Sequence, residues 1–166
     1  DGFMEPVSWF LTGLEKHSDR EDMNLKGNAN AFFMMLFNAL SKMPYKTVLV
    51  SMNQLSNHDH SRFLTRTNGI VGRINTHKPE DASEDVRLEI MRQAIMMQLT
   101  LPGAPTVYYG DEVGLCGFTD PDNRRTYPWG NENLELLEYH RYMNKLHRLR
   151  KELRGGSLIK LLSGDS

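Results

Sequence analysis

Between Asn57 and Arg62 the chain sets an amide, two imidazoles, a carboxylate, a hydroxyl and a guanidinium in consecutive positions. A fixed carboxylate such as Asp59 can favour a developing cation, for example the oxocarbenium-like ring of a sugar losing its leaving group. His58 can donate a hydrogen bond to a sugar hydroxyl. Arg62 can hold a neighbouring carboxylate ionised, or brace the loop. A second set, Asp120-Pro-Asp-Asn-Arg-Arg125 with Tyr127 and Trp129, offers the same vocabulary. Arginine and carboxylate make directional bonds to hydroxyls, and an aromatic face stacks on the apolar face of a pyranose. Other readings stay open on the residues alone. Asn57 and Asp59 can simply bond the local backbone of a polar turn. The second set can be a loop stitched by its own Asp–Arg pairs. His58-Asp59-His60 can also be read as metal ligands. Adjacent residues at a strand end point in different directions, however, and no further His/Cys spacing completes four ligands.

Such groups need elements to aim them. Thr47–Leu55 is short, β-branched and nearly all apolar through Val50, which predicts a strand covered on both faces and ending at Asn57. Thr106–Tyr109 predicts a second strand, entered from Pro102-Gly-Ala-Pro105. The apolar spacing of Ala29, Phe32, Phe33, Leu36, Phe37 and Leu40 predicts a helix over Asn28–Met43, capped by Asn28 and closed before Pro44. Ser83 is the expected cap of a helix over Glu84–Thr100. Leu134–Leu153 is expected to be a last helix, with Leu137, Met143, Leu146 and Leu149 inward and Gly155-Gly156 closing it before a new strand. Phe3–Leu14 reads as a short strand or its end, then a loop that can hold a turn of helix. Gly110–Trp129 is a long loop, and long loops in compact domains are often functional. Strands alternating with helices argue an α/β fold with a parallel sheet.

Composition narrows the classes. With 166 residues the chain can bury a real core, and 39% hydrophobic with 25% charged residues is a globular balance. A formal net charge of -1 points to no nucleic acid and no anionic membrane as partner. No apolar run reaches transmembrane length. The single cysteine, Cys116, makes no internal disulfide and fits a reducing compartment. Both ends read as cut from a longer chain.

Leu55-Ser-Asn-His-Asp59 resembles the block that ends the seventh barrel strand in the alpha-amylase family, glycoside hydrolase family 13. Pro102-Gly-Ala-Pro-Thr-Val-Tyr-Tyr-Gly-Asp-Glu112 resembles that family's eighth strand and its exit. Asp120-Pro-Asp-Asn-Arg-Arg-Thr-Tyr-Pro-Trp129 is similar to a loop of the neopullulanase, cyclomaltodextrinase and maltogenic amylase branch. Asp1–Pro6 takes the place of the sixth strand. The resemblance implies about strands six to eight of a (β/α)8 TIM barrel over residues 1–154, and the start of a C-terminal β-domain over residues 155–166.

The resemblance also implies roles. Asp59 matches the invariant carboxylate that stabilises the transition state. His58 matches a histidine on the sugar being cleaved, and Asp120 and Arg124 match a pair on the non-reducing side. Asn57 and Arg62 are grouped with the sugar-binding residues. The implied partner is an α-glucan or maltooligosaccharide. No cofactor is implied in this segment, and the family's calcium sites lie mostly upstream. The branch is often intracellular. Family members retain anomeric configuration with an Asp after the fourth strand and a Glu after the fifth, both of which would precede Asp1. The segment alone is therefore expected to be inactive, and its exposed barrel edges are expected to make it marginal or self-associating. A non-catalytic carbohydrate-binding or regulatory barrel and a metal-dependent hydrolase are the competing functions.

Overall fold

The computed structural model describes residues 2–161. The first element corrects an expectation. Met4–Thr12 is a helix, α1, in place of a strand. Pro6 sits in its first turn, where amides have no partner within the helix, so proline costs nothing there. Gly13, at φ 77°, ends α1 and donates its amide to Trp9 O at 2.9 Å. The place expected for a sixth strand is thus a turn running into a helix, and Asp1 lies outside the described residues.

Helix α2 covers Ala29–Leu40 as the spacing predicts, and Asn28 Oδ1 accepts from the Ala31 amide at 3.0 Å. Pro44 then starts a short helix α3, Tyr45–Val48, so the strand predicted from Thr47 shrinks to β1, Met52–Gln54. Val50, read as covered on both faces, is 71% exposed. Helix α4, Phe63–Arg66, and a 3-10 turn over Pro79–Ser83 follow. Ser83 lies inside that turn and caps nothing; α5 runs Leu88–Thr100 from Arg87. Strand β2 is Ala104–Thr106, two residues earlier than predicted.

β1 and β2 are parallel, with Met52 opposite Ala104 and Gln54 opposite Thr106. Buried Gln98 on α5 ties the crossover to both strands, donating to Asn53 O and Thr106 O, each at 2.9 Å. Among the described residues these are the two strands of the sheet. The core gathers around Val7, Leu36, Leu55, Ile95, Phe118 and Leu136. Helix α6, Leu134–Leu149, is capped by Asn133 Oδ1 on the Leu136 amide at 2.9 Å. Its inward residues are Leu136, His140 and Met143, whereas Leu149 is 70% exposed. The helix breaks at Arg150 and resumes as α7, Lys151–Gly155. No strand forms over residues 157–161, and the rest of the expected β-domain start lies outside the described residues. No helix of the described residues is long and apolar enough to cross a membrane. Cys116 is buried, and burial pushes its thiol up to about 11, away from reactivity.

Two buried histidines set an acid limit. His60 and His140 are each held down to about 4, chiefly because burial disfavours the imidazolium. A pKa depressed on folding gives stability that is present above about 6.5 and lost as pH falls toward 4. Asp111 acts oppositely: burial raises it to about 6, so it favours the folded state at low pH. Between pH 6 and 4 the unfolded chain therefore holds a net surplus of roughly one proton. Folding stability should fall by about 1.4 kcal/mol per pH unit in that window. Urea unfolding at pH 7, 6 and 5 checks this, and a flat profile would contradict it.

Candidate functional site: two loops at one end of a parallel strand pair

Asn57–His60 leaves the C-terminal end of β1, and the Asp120–Arg124 turn lies against it, although more than 50 residues separate the two in sequence. The contacts are direct. Arg124 Nε donates to His58 O at 3.2 Å, and the Asp120 amide donates to Asp59 O at 3.5 Å. Arg124 Nε also meets Asp120 Oδ1 at 2.9 Å. The Asp59 carboxylate points outward, its side chain 61% exposed, with His58 Nε2 3.4 Å away. Asp59, His58, Asp120 and Arg124 thus share one open surface, with a carboxylate, an imidazole and an ion pair available to a polyhydroxylated ligand.

Asn57 has another task. Its Oδ1 accepts from the amides of Asp59 at 2.9 Å and His60 at 3.1 Å. That is the local turn bonding weighed above, and it sets the direction of Asp59 instead of meeting a sugar. Arg62 overturns its expected place among the sugar-binding residues and takes the bracing role instead. It is 0% exposed, so no ligand reaches it. Its Nη1 bonds Asp111 Oδ1 at 2.9 Å and Tyr109 O at 2.8 Å, and its Nε bonds Asn123 O at 2.9 Å. The guanidinium also lies 4.5 Å from the Tyr108 ring centre. Arg62 therefore braces the strand exits from beneath. Burial keeps the Asp111 carboxyl up at about 6 even though Arg62 and Ser56 pull it down.

Sequence reasoning missed Asn123. Its side chain is fully buried, and Nδ2 donates to Asn57 O at 3.0 Å and His60 O at 2.7 Å. An asparagine inside a polar run gives no sign that it faces inward. Tyr127 and Trp129 do pair, with ring centres 4.4 Å apart, and Trp129 is 79% exposed. Tyr109 Oη steadies that segment through Arg125 O at 2.7 Å.

The metal reading finds little support. His60 turns inward and packs edge-on to His17, 4.4 Å between ring centres, while His58 and Asp59 face out. Glu15, His17 and Asp19 bring ligand atoms within 4.8 Å of one another. Arg73 already fills the cation's place on Asp19, with Nε at 2.7 Å from Oδ1, and His17 Nδ1 sits 3.2 Å from Glu15. Burial works to raise the Glu15 carboxyl, but the Asp19 and His17 amides and the His17 ring hold it below its ordinary value.

Comparison with known proteins decides the family. The description "Alpha amylase, catalytic domain" matches residues 10–153, which include both strands and both loops of the site. The chain belongs to the alpha-amylase catalytic-domain family. An amylopullulanase of Thermoanaerobacterium thermosulfurigenes is 32% identical over 162 residues, 96% of this chain and 8% of that protein. A cyclomaltodextrinase of Thermoanaerobacter pseudethanolicus is 33% identical over 138 residues, 82% of this chain and 21% of that protein. The crystal structure of a debranching enzyme from Nostoc punctiforme superposes with a TM-score of 0.72 at 27% identity, covering 94% of this chain and 30% of that one. The chain thus spans less than a third of each of these alpha-amylase relatives. The solved relatives are α/β-barrel enzymes, and the strand pair with its helices corresponds to a fragment of such a barrel.

Proposed function

We propose that this chain is the C-terminal part of the catalytic barrel of an α-glucan-acting glycoside hydrolase that retains anomeric configuration. In this reading β1 and β2 are the seventh and eighth strands, residues 1–154 belong to the barrel, and residues 155–166 lead into a β-domain. Asp59 stabilises the cationic transition state, His58 binds the sugar being cleaved, and Asp120 with Arg124 binds glucose units beyond it. The substrate is an α-glucan or maltooligosaccharide. The supporting observation is the meeting of the two loops at the C-terminal end of parallel strands, where barrel enzymes carry their chemistry, with Asp59 facing out.

Retention requires two carboxyl groups about 5–5.5 Å apart, one attacking and one giving and taking the proton. Asp59 cannot do both from one position. The nearby Asp120 is committed to Arg124. The pure 166-residue chain should therefore release no reducing sugar from starch or pullulan. Its open sheet edges, with Val50 and Met52 exposed, should drive self-association. Gel filtration and a reducing-sugar assay on one preparation test both; measurable hydrolysis by a monomer would overturn the reading. In the longer protein that contains this segment, proton NMR of maltohexaose cleavage should show the α-anomer first. Release of the β-anomer would refute retention.

A further inference from the structure

The two loops of the site need something to hold them in register, because β1 and β2 pair over only three residues each. Asn123 is placed to do this. Both hydrogens of its Nδ2 are used, one on Asn57 O and one on His60 O, the carbonyls that bracket His58 and Asp59. Its own carbonyl receives Arg62 Nε from below. One residue of the 120–124 turn thus holds both ends of the loop bearing Asp59 and rests on the buried arginine. Asn123 Oδ1 is buried without a hydrogen-bond partner among the described residues. The amide cannot be flipped to cure this, since the oxygen would then face two carbonyl oxygens. The chain accepts an unmet acceptor in order to place two donors. Gly117 makes room for the arrangement. A Cβ there would stand 2.7 Å from Asp122 O and 2.8 Å from Asn123 Cα, so any other residue would push the turn away from the loop.

We infer that Asn123 is a positioning residue that fixes Asp59 and His58 relative to the Asp120–Arg124 pair, so that a glucan is read by both loops at once. The claim about the glucan rests on the function proposed above; the claim about the loops does not. No common side chain replaces it. Serine and alanine do not reach, leucine has the shape without the donors, and glutamine is one methylene too long. Aspartate has the shape, but its charged form turns an acceptor oxygen toward both carbonyl oxygens. Its protonated form supplies one donor, and the facing carbonyls favour that form.

The test is Asn123→Asp beside Asn123→Leu in the full chain, at a temperature well below unfolding. Hydrogen exchange should lose protection at residues 57–60 in both variants while α5 and α6 stay protected. Binding of maltohexaose, followed by NMR at millimolar sugar, should weaken tenfold or more in both at pH 8. Acidification to pH 5.5 should narrow the gap between wild type and Asn123→Asp, and leave the gap for Asn123→Leu unchanged. His60 and Arg62 bond Asn123, Asp122 and Arg124 flank it, and Asp59 stands on the loop it holds, so each variant is compared with wild type at the same pH. Unchanged exchange at residues 57–60 overturns the inference, as does protection lost throughout the fold. Altered exchange with sugar affinity retained shows a clasp of structure only and overturns the positioning role. If wild type binds no sugar while exchange changes as expected, the loop clasp stands and the glucan reading fails.

Discussion

If the chain serves in a longer glycosidase as proposed, replacing Asp59 with asparagine there is expected to lower kcat by about 10²–10³-fold and leave folding stability within about 0.5 kcal/mol of wild type. The two halves of that expectation come from the same geometry. The Asp59 carboxylate stands in solvent, with His58 Nε2 3.4 Å away. An exposed pair of this kind contributes little to stability. Its backbone stays anchored through the Asn57 turn, which the substitution does not touch. On the function proposed above, what asparagine loses is the full negative charge that would face the sugar ring as the ring becomes cationic. Preorganised charge of this sort acts mainly in the transition state, so kcat should fall far more than KM rises. Steady-state kinetics on maltohexaose together with thermal melting give the answer. An enzyme that keeps its kcat would remove Asp59 from the reaction, and one that loses kcat only by unfolding would make it structural.

The second large effect should come from Arg62. Arg62→Met breaks a pair in which both partners are buried, at 2.9 Å, and leaves the Asp111 carboxyl without its ion-pair partner, with Ser56 and the field of Arg66 as remaining support. Breaking a buried pair from one side costs about 3–5 kcal/mol. It also deprives the Tyr109 and Asn123 carbonyls of their donor. A whole domain has only about 5–15 kcal/mol to lose, so the variant should sit near its unfolding threshold at neutral pH. Removing both charges, as Arg62→Met with Asp111→Leu, should recover more than half of the loss. Acid should help the single variant relative to wild type. Without Arg62 the Asp111 carboxyl keeps its proton to a higher pH than about 6, and the neutral form needs no partner. Urea unfolding at pH 7.5 and 6 measures the gap. A loss under about 1 kcal/mol, or a gap that widens at pH 6, would show that the pair does not bear the load assigned to it.

Legibility followed how local the cause was. Helix α2 was readable because an apolar face and the Asn28 cap lie within its own sixteen-residue stretch. The two polar sets could be singled out from residue types alone, whereas their meeting at one end of the strand pair could not. Strand limits were not readable, since Pro44 initiating α3 overrode the β-branched run after it. Helix α1 was shortened because the apolar run from Phe3 was read as a strand in the sixth-strand place, whereas Pro6 in a first turn lets the helix run on to Thr12. Arg62 and Asn123 show the deeper limit. Both sit in polar stretches, and both are fully buried. Nothing within a few residues of Arg62 announces Asp111, which arrives from beyond the α5 crossover. A side chain's role as ligand or as brace depends on which way it faces, and that is settled by distant sequence.

The chain's two tryptophans occupy opposite surroundings. Trp9 lies in α1, 9% exposed, with its indole N–H on Glu5, while Trp129 stands 79% exposed just beyond the Asp120–Arg124 turn. The molecule therefore carries two built-in fluorophores of different colour and different access to quenchers. A blue emission deaf to iodide reports the interior, and a red one that iodide extinguishes reports the loop, so each can be followed without a label.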